Sequence, residues 1–138
     1  MIFKFHKRVA VLALLLSLAS VSAKAELAII VHPQNPATKM FLSQVAQFYL
    51  GGSTLFSPVE LPENSPARAD FYKKVLEKEP AQVQAIWSKL LFTGKAKAPK
   101  EFKTGAEVKK YVSENQNAIG YIDKSAVDDS VKVVALVP

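Results

Sequence analysis

Ser65 and Arg68 are the residues whose type and spacing best suit chemistry. They lie in Leu61-Pro62-Glu63-Asn64-Ser65-Pro66-Ala67-Arg68, where a short extended stretch gives way to a helix start. A helix N-terminus presents unpaired N–H groups and partial positive charge, so it receives an anion without special side chains. Ser65 adds a hydroxyl, and Arg68 adds a guanidinium suited to bidentate contact with an oxyanion. The same two residues could instead be purely structural, with Ser65 capping the helix and Arg68 pairing with a neighbouring carboxylate.

The rest of the chemical inventory is thin. The chain has no cysteine and two histidines, His6 and His32. Any Ser-His-Asp arrangement would have to be built around His32, which follows an apolar run and precedes Pro33; a hydrogen-bonded structural role is expected there. Asp123, Asp128 and Asp129 cluster near one turn and read as turn residues rather than metal ligands. Neither common glycine-rich phosphate loop is present. No catalytic residue, metal site or cofactor is expected, and the chain reads as a non-enzyme.

Export shapes how the remaining composition is read. Lys4, Lys7 and Arg8 precede a weakly polar to apolar run from Val9 to Val21, and Ala23-Lys24-Ala25 closes it with small residues. That is the pattern of a secretory signal peptide over residues 1–25, cut after Ala25 or alternatively after Ala23. The run is too short for a membrane core that needs about 20 residues. The expected location is the periplasm, with no membrane span after cleavage. Four of the 18 basic residues leave with the signal, so 14 remain against 12 acidic, a net charge of +2. Such a balance gives no case for nucleic-acid binding. The lysines are nevertheless bunched: Lys89, Lys95, Lys97, Lys100, Lys103, Lys109 and Lys110 face only Glu101 and Glu107 in that stretch. This is a solvated face or a docking patch for an acidic partner or anionic surface.

Residues 26–138 are enough for one domain with a core that needs no disulfides. Leu27–Val31 reads as a strand buried on both faces, the mark of a parallel sheet. A helix carrying Leu42, Val45, Phe48 and Tyr49 follows, with Ser43 as its expected N-cap and Gly51-Gly52 as its stop. Pro58–Leu61 reads as a second strand. Ser65-Pro66 opens a helix that buries Phe71, Tyr72, Val75 and Leu76. Pro80 opens another, whose Val83, Ile86, Trp87, Leu90 and Leu91 make the best amphipathic stripe in the chain. After a Lys/Ala/Pro loop come a helix near 106–115, with Val108, Tyr111 and Val112 inward, and strands at Ala118–Ile122 and Val131–Val137. Alternating strands and helices predict an α/β domain with a mostly parallel or mixed sheet.

Several of these segments, in this order, resemble the periplasmic substrate-binding proteins of phosphate ABC transporters, and above all small one-domain members. The resemblance rests on Val31-His32-Pro33-Gln34-Asn35-Pro36, Phe48-Tyr49-Leu50-Gly51 and the segment from Glu63 to Phe71. It rests equally on the segment from Trp87 to Gly94 and on Asn117-Ala118-Ile119-Gly120-Tyr121-Ile122. It implies a single lobe of a type 2 periplasmic binding protein, full-length members of which clamp their ligand between two lobes. In those members the strand-to-helix segment reads approximately Arg-x-Asp-Gly-Ser-Gly-Thr. Ser65 stands at its serine, whereas Leu61, Pro66 and Ala67 replace the arginine, second glycine and threonine. The implied function is binding of a small anion such as phosphate in connection with ABC-type transport, with Ser65, Arg68 and Ala67 as contacts. Each lost charged hydrogen bond weakens such a site by about 1.5–3 kcal/mol. The rival expectation is a ligand-free interaction or sensor module docking on an envelope transporter or sensor protein.

Overall fold

The computed structural model describes residues 26–138. The expected signal peptide and both candidate cleavage sites precede Glu26 and lie outside the described residues.

Five strands form one sheet: β1 (Leu27–Val31), β2 (Ser57–Glu60), β3 (Lys100–Glu101), β4 (Ala118–Asp123) and β5 (Lys132–Val137), in the spatial order β3-β2-β4-β1-β5. β2 runs parallel to β3 and β4, while β1 is antiparallel to both β4 and β5. The sheet is therefore mixed. All five residues of β1 are buried, yet the strand is not parallel to its neighbours. Its unbroken apolar run reports only that both faces are covered, which a central antiparallel strand satisfies equally well.

The strand alternation separates the two helical layers. Gly120 faces α4 (Gly105–Glu114): a Cβ there would stand 2.7 Å from Val108 Cγ1 and 3.0 Å from Val59 Cγ2. Tyr121 faces the other way and stacks on Phe71 of α2 (Pro66–Phe71), with ring centroids 4.1 Å apart. Tyr49, at the end of α1 (Leu42–Tyr49), packs edge-on against Phe71 and donates its hydroxyl to the carbonyls of Val59 and Ile119. α2 continues into a π-helical turn, Tyr72–Leu76, which ends at Glu77 in the left-handed region (φ 53°). The expected buried set Phe71, Tyr72, Val75 and Leu76 is found.

Three local expectations need correction. α1 starts one residue before Ser43, and its N-cap is Phe41, whose N–H is taken by the Gln44 side chain at 2.8 Å. Gln44 thus supplies the N3 half of a capping box, and no N-cap side chain accepts from the first turn. α3 (Pro80–Phe92) is the second case. Of its apolar stripe only Val83 is buried; Leu91 is 45% exposed, and Phe92 beside it is 92% exposed. The period was right, but no layer covers the distal half. Third, the 95–104 loop contains the short strand β3, held by parallel pairing of Lys100 and Glu101 with Val59 and Glu60. Tyr111 of α4 is only half-buried, against Phe102.

Candidate functional site

Beyond the carboxyl ends of β2 and β3, an open cavity of about 400 Å³ lies between α2, the π turn and α3. Strand ends that feed helices are where open α/β sheets place ligands. Glu60, the last residue of β2, is the cavity's buried polar group and the one buried charged residue among the described residues.

Its carboxylate is fully engaged. Oε1 accepts the Tyr121 hydroxyl at 2.7 Å, and Oε2 accepts the Tyr72 hydroxyl at 2.5 Å. The Arg68 guanidinium stands 3.9 Å from Oε2. Burial pushes the Glu60 carboxyl above its ordinary pKa, against the opposing pull of Tyr72, Arg68 and Tyr121. Burial and the adjacent Glu60 also raise both tyrosines, so they remain protonated donors.

Arg68 closes one wall. Its Nη1 donates to the Leu61 carbonyl at 2.7 Å and to Glu101 Oε2 at 3.0 Å, while its Cζ lies 5.2 Å from the Tyr72 ring centre. Glu101 is on β3, so the pairing of β3 with β2 brings it to the guanidinium. Trp87 lines the opposite side and donates Nε1 to the Tyr49 carbonyl at 2.8 Å, tying α3 to the end of α1.

Ser65 is the N-cap of α2, its Oγ accepting the Arg68 N–H at 3.4 Å. Pro66 has no N–H, and the Ala69 N–H is taken by the Ser65 carbonyl. The Ala67 N–H is thus the one first-turn donor left without a bond among the described residues. Ser65, Ala67 and Arg68 do come together at the start of α2, as their spacing implies. The capping of Ser65 and the carboxylate pairing of Arg68 are also both realised. The sequence reading missed Glu60 and Glu101. Glu60 had a signal: a lone carboxylate between Val59 and Leu61 in an otherwise apolar strand needs buried donors.

Of Ser65, Ala67 and Arg68 only Arg68 lines the cavity; Ser65 and Ala67 stand beside it at the start of α2, and the remaining candidates lie farther off. His32 Nδ1 accepts the Gln34 N–H at 3.0 Å in the turn after β1. Asp123 caps the 3-10 turn Lys124–Ala126, and Asp128 accepts from Ser130 and pairs with Lys109. Among the described residues no group of three acidic or histidine side chains converges as for a metal ion, and no helix is long and apolar enough to cross a membrane.

A mixed sheet flanked by helices on both faces, with a cavity at the strand ends, is the architecture of one lobe of a periplasmic binding protein. The particular likeness is to substrate-binding proteins of phosphate ABC transporters. Over 80% of its length the chain superposes on a Clostridium perfringens protein assigned to that role and solved with bound phosphate, at a TM-score of 0.65 and 26% identity. An ABC-type phosphate transport receptor from Vibrio cholerae aligns over 80% of the chain at TM-score 0.63 and 21% identity. PstS from Borrelia burgdorferi aligns over 83% at 0.62 and 15%. The alignments cover 45%, 47% and 49% of those three proteins, so the chain spans less than half of each. No sequence-family model matches the chain, and no curated protein matches it in sequence.

Proposed function

We propose that this chain is an exported, periplasmic solute-binding lobe that takes a small oxyanion, phosphate first, at the start of α2 in connection with ABC-type transport. The observation that carries this reading is the correspondence of the lobe to the phosphate-bound protein of Clostridium perfringens. The contacts would be the Ser65 hydroxyl, the Ala67 N–H and the N–H groups of Arg68 not spent on Leu61 and Glu101.

Electrostatics limit the affinity. Glu60, Glu63 and Glu101 line the same cavity as Arg68, so three carboxylates meet one guanidinium there. With Pro66 silent as a donor, binding in the roughly millimolar range, about 4 kcal/mol, is expected. Calorimetric titration of the purified protein with phosphate and sulfate tests the reading. Heat that saturates and is lost in Ser65→Ala and Arg68→Ala supports it; no binding of either anion at tens of millimolar, on the order of ten times that dissociation constant, refutes it.

A further inference from the structure

The distal end of α3 carries a second feature that the solute cavity does not use. Phe92 is 92% exposed and Leu91 45% exposed. Neither residue lines the cavity. From Lys89 to Lys100 the chain has four lysines and no acidic residue. The side chains of Lys89, Lys95 and Lys97 make no salt bridge and no hydrogen bond among the described residues, whereas Lys74, Lys109 and Lys124 are all paired.

This end is built, not frayed. The Lys95 N–H bonds the Leu90 carbonyl at 3.0 Å, and the Gly94 N–H bonds the Leu91 carbonyl at 3.1 Å, with Gly94 at φ +70°. That pair of bonds is a Schellman closure. The Lys89 carbonyl is taken by the Thr93 N–H and hydroxyl. A Cβ added at Gly94 would meet nothing within 4 Å, so the turn stands in open space. Phe92 is thus held out on a projecting tip where the carbonyls of Lys89, Leu90 and Leu91 are already bonded. Such a closure reduces the number of backbone acceptors that must leave bulk water unpaired.

We infer that the α3 tip docks on an anionic phospholipid surface, Phe92 and Leu91 entering the headgroup boundary while Lys89, Lys95 and Lys97 meet the lipid phosphates. A projecting aromatic beside uncompensated lysines complements a negatively charged interface, which asks for no matching pocket. A protein partner would instead call for a complementary concave or strand-edge surface. The inference is independent of the oxyanion reading, because none of its residues touches the cavity.

The test is co-sedimentation of the purified protein with vesicles of phosphatidylcholine alone or with about 30% phosphatidylglycerol, at low salt and at about 0.5 M salt, where screening shortens to a few ångströms. Binding is expected only to the anionic vesicles and only at low salt. Lys95→Glu with Lys97→Glu should weaken it at least about thirtyfold, and Phe92→Ser about tenfold. Both variants change exposed side chains, and circular dichroism melts will show them folded. No binding to anionic vesicles, or binding indifferent to these substitutions, overturns the inference. Phosphate titration of the same variants is expected to match that of the unaltered protein, so failure of one reading is distinguishable from failure of the other.

Discussion

Tyr121 and Glu60 stand side by side on the parallel strands β4 and β2, and the tyrosine hydroxyl donates to the carboxylate at 2.7 Å. One bond thereby ties the centre of the sheet to the floor of the cavity. The Tyr121 ring stacks on Phe71, so the same side chain also fixes α2, the element that Ser65 caps. The polar site and the apolar core share a residue. Disturbing either will be felt in the other.

Tyr121→Phe keeps the stack and removes the donor. The buried Glu60 Oε1 is left unsatisfied, at a cost of about 1–3 kcal/mol. Urea denaturation should show that loss as a lowered midpoint with an unchanged slope. Tyr111→Phe on the half-buried flank of α4 should change the stability by a few tenths of a kcal/mol at most. Equal effects from the two substitutions would contradict the role assigned to the Glu60 bond.

The raised pKa of Glu60 makes stability pH-dependent in a stated direction. Unfolded glutamate titrates near 4.3, and the folded carboxyl titrates above that. Between the two values the folded protein holds more protons than the unfolded chain, so stability falls as pH rises through that window. Glu60→Gln removes this dependence. Compared with the variant, the unaltered protein should be relatively more stable at about pH 5 than at about pH 7. Asp123 and Asp128, both held below the usual carboxylate range by hydrogen bonds (from Ser125 to Asp123, and from Lys109 and Ser130 to Asp128), work oppositely. Their stabilisation is lost only on further acidification below about 3.9, outside the window. Parallel stability profiles for the two proteins would contradict the assignment.

Much of the framework was legible because it rests on local rules. Proline at the first position of α2 and α3, glycine after α1 and α3, and apolar runs at β1, β4 and β5 each act within a few residues. What was not legible depends on distant segments. The direction of β1 is set by its partners Tyr121 and Ala135, not by its own residues. The stripe of α3 has a helical period, but sequence cannot say that its outer end lacks a covering layer. At the site, Ser65 and Arg68 were visible because they are near in sequence. Glu101, 33 residues beyond Arg68, reaches it only through the pairing of β3 with β2.

Gly120 is required by close approach of α4 to the sheet. A methyl group there would press on Val108, Val59 and Val112. Gly120→Ala should therefore cost about 1–3 kcal/mol through overpacking. Val108→Ala alone should also destabilise, by leaving a cavity. Combined, the two should cost clearly less than their sum, because each relieves the other's misfit. Chemical denaturation of the four proteins closes the cycle. Strict additivity would show that α4 is not pressed against Gly120.

Glu101 is where the oxyanion proposal is most exposed to test. Its carboxylate sits 3.0 Å from Arg68 Nη1 and competes with any anion for that guanidinium. Because Glu101 is about half exposed, solvent screens the competition, and its contribution to stability as an ion pair is about 1 kcal/mol at most. Glu101→Gln removes a negative charge from the cavity while leaving an amide oxygen for the arginine. If phosphate binds beside Arg68, this substitution should tighten binding about threefold to tenfold. Arg68→Lys should weaken it, since an ammonium cannot serve the Leu61 carbonyl, Glu101 and the ligand in one plane. Phosphate titrations of the two variants read the sign directly. Unchanged or weaker binding in Glu101→Gln would place the ligand away from Arg68.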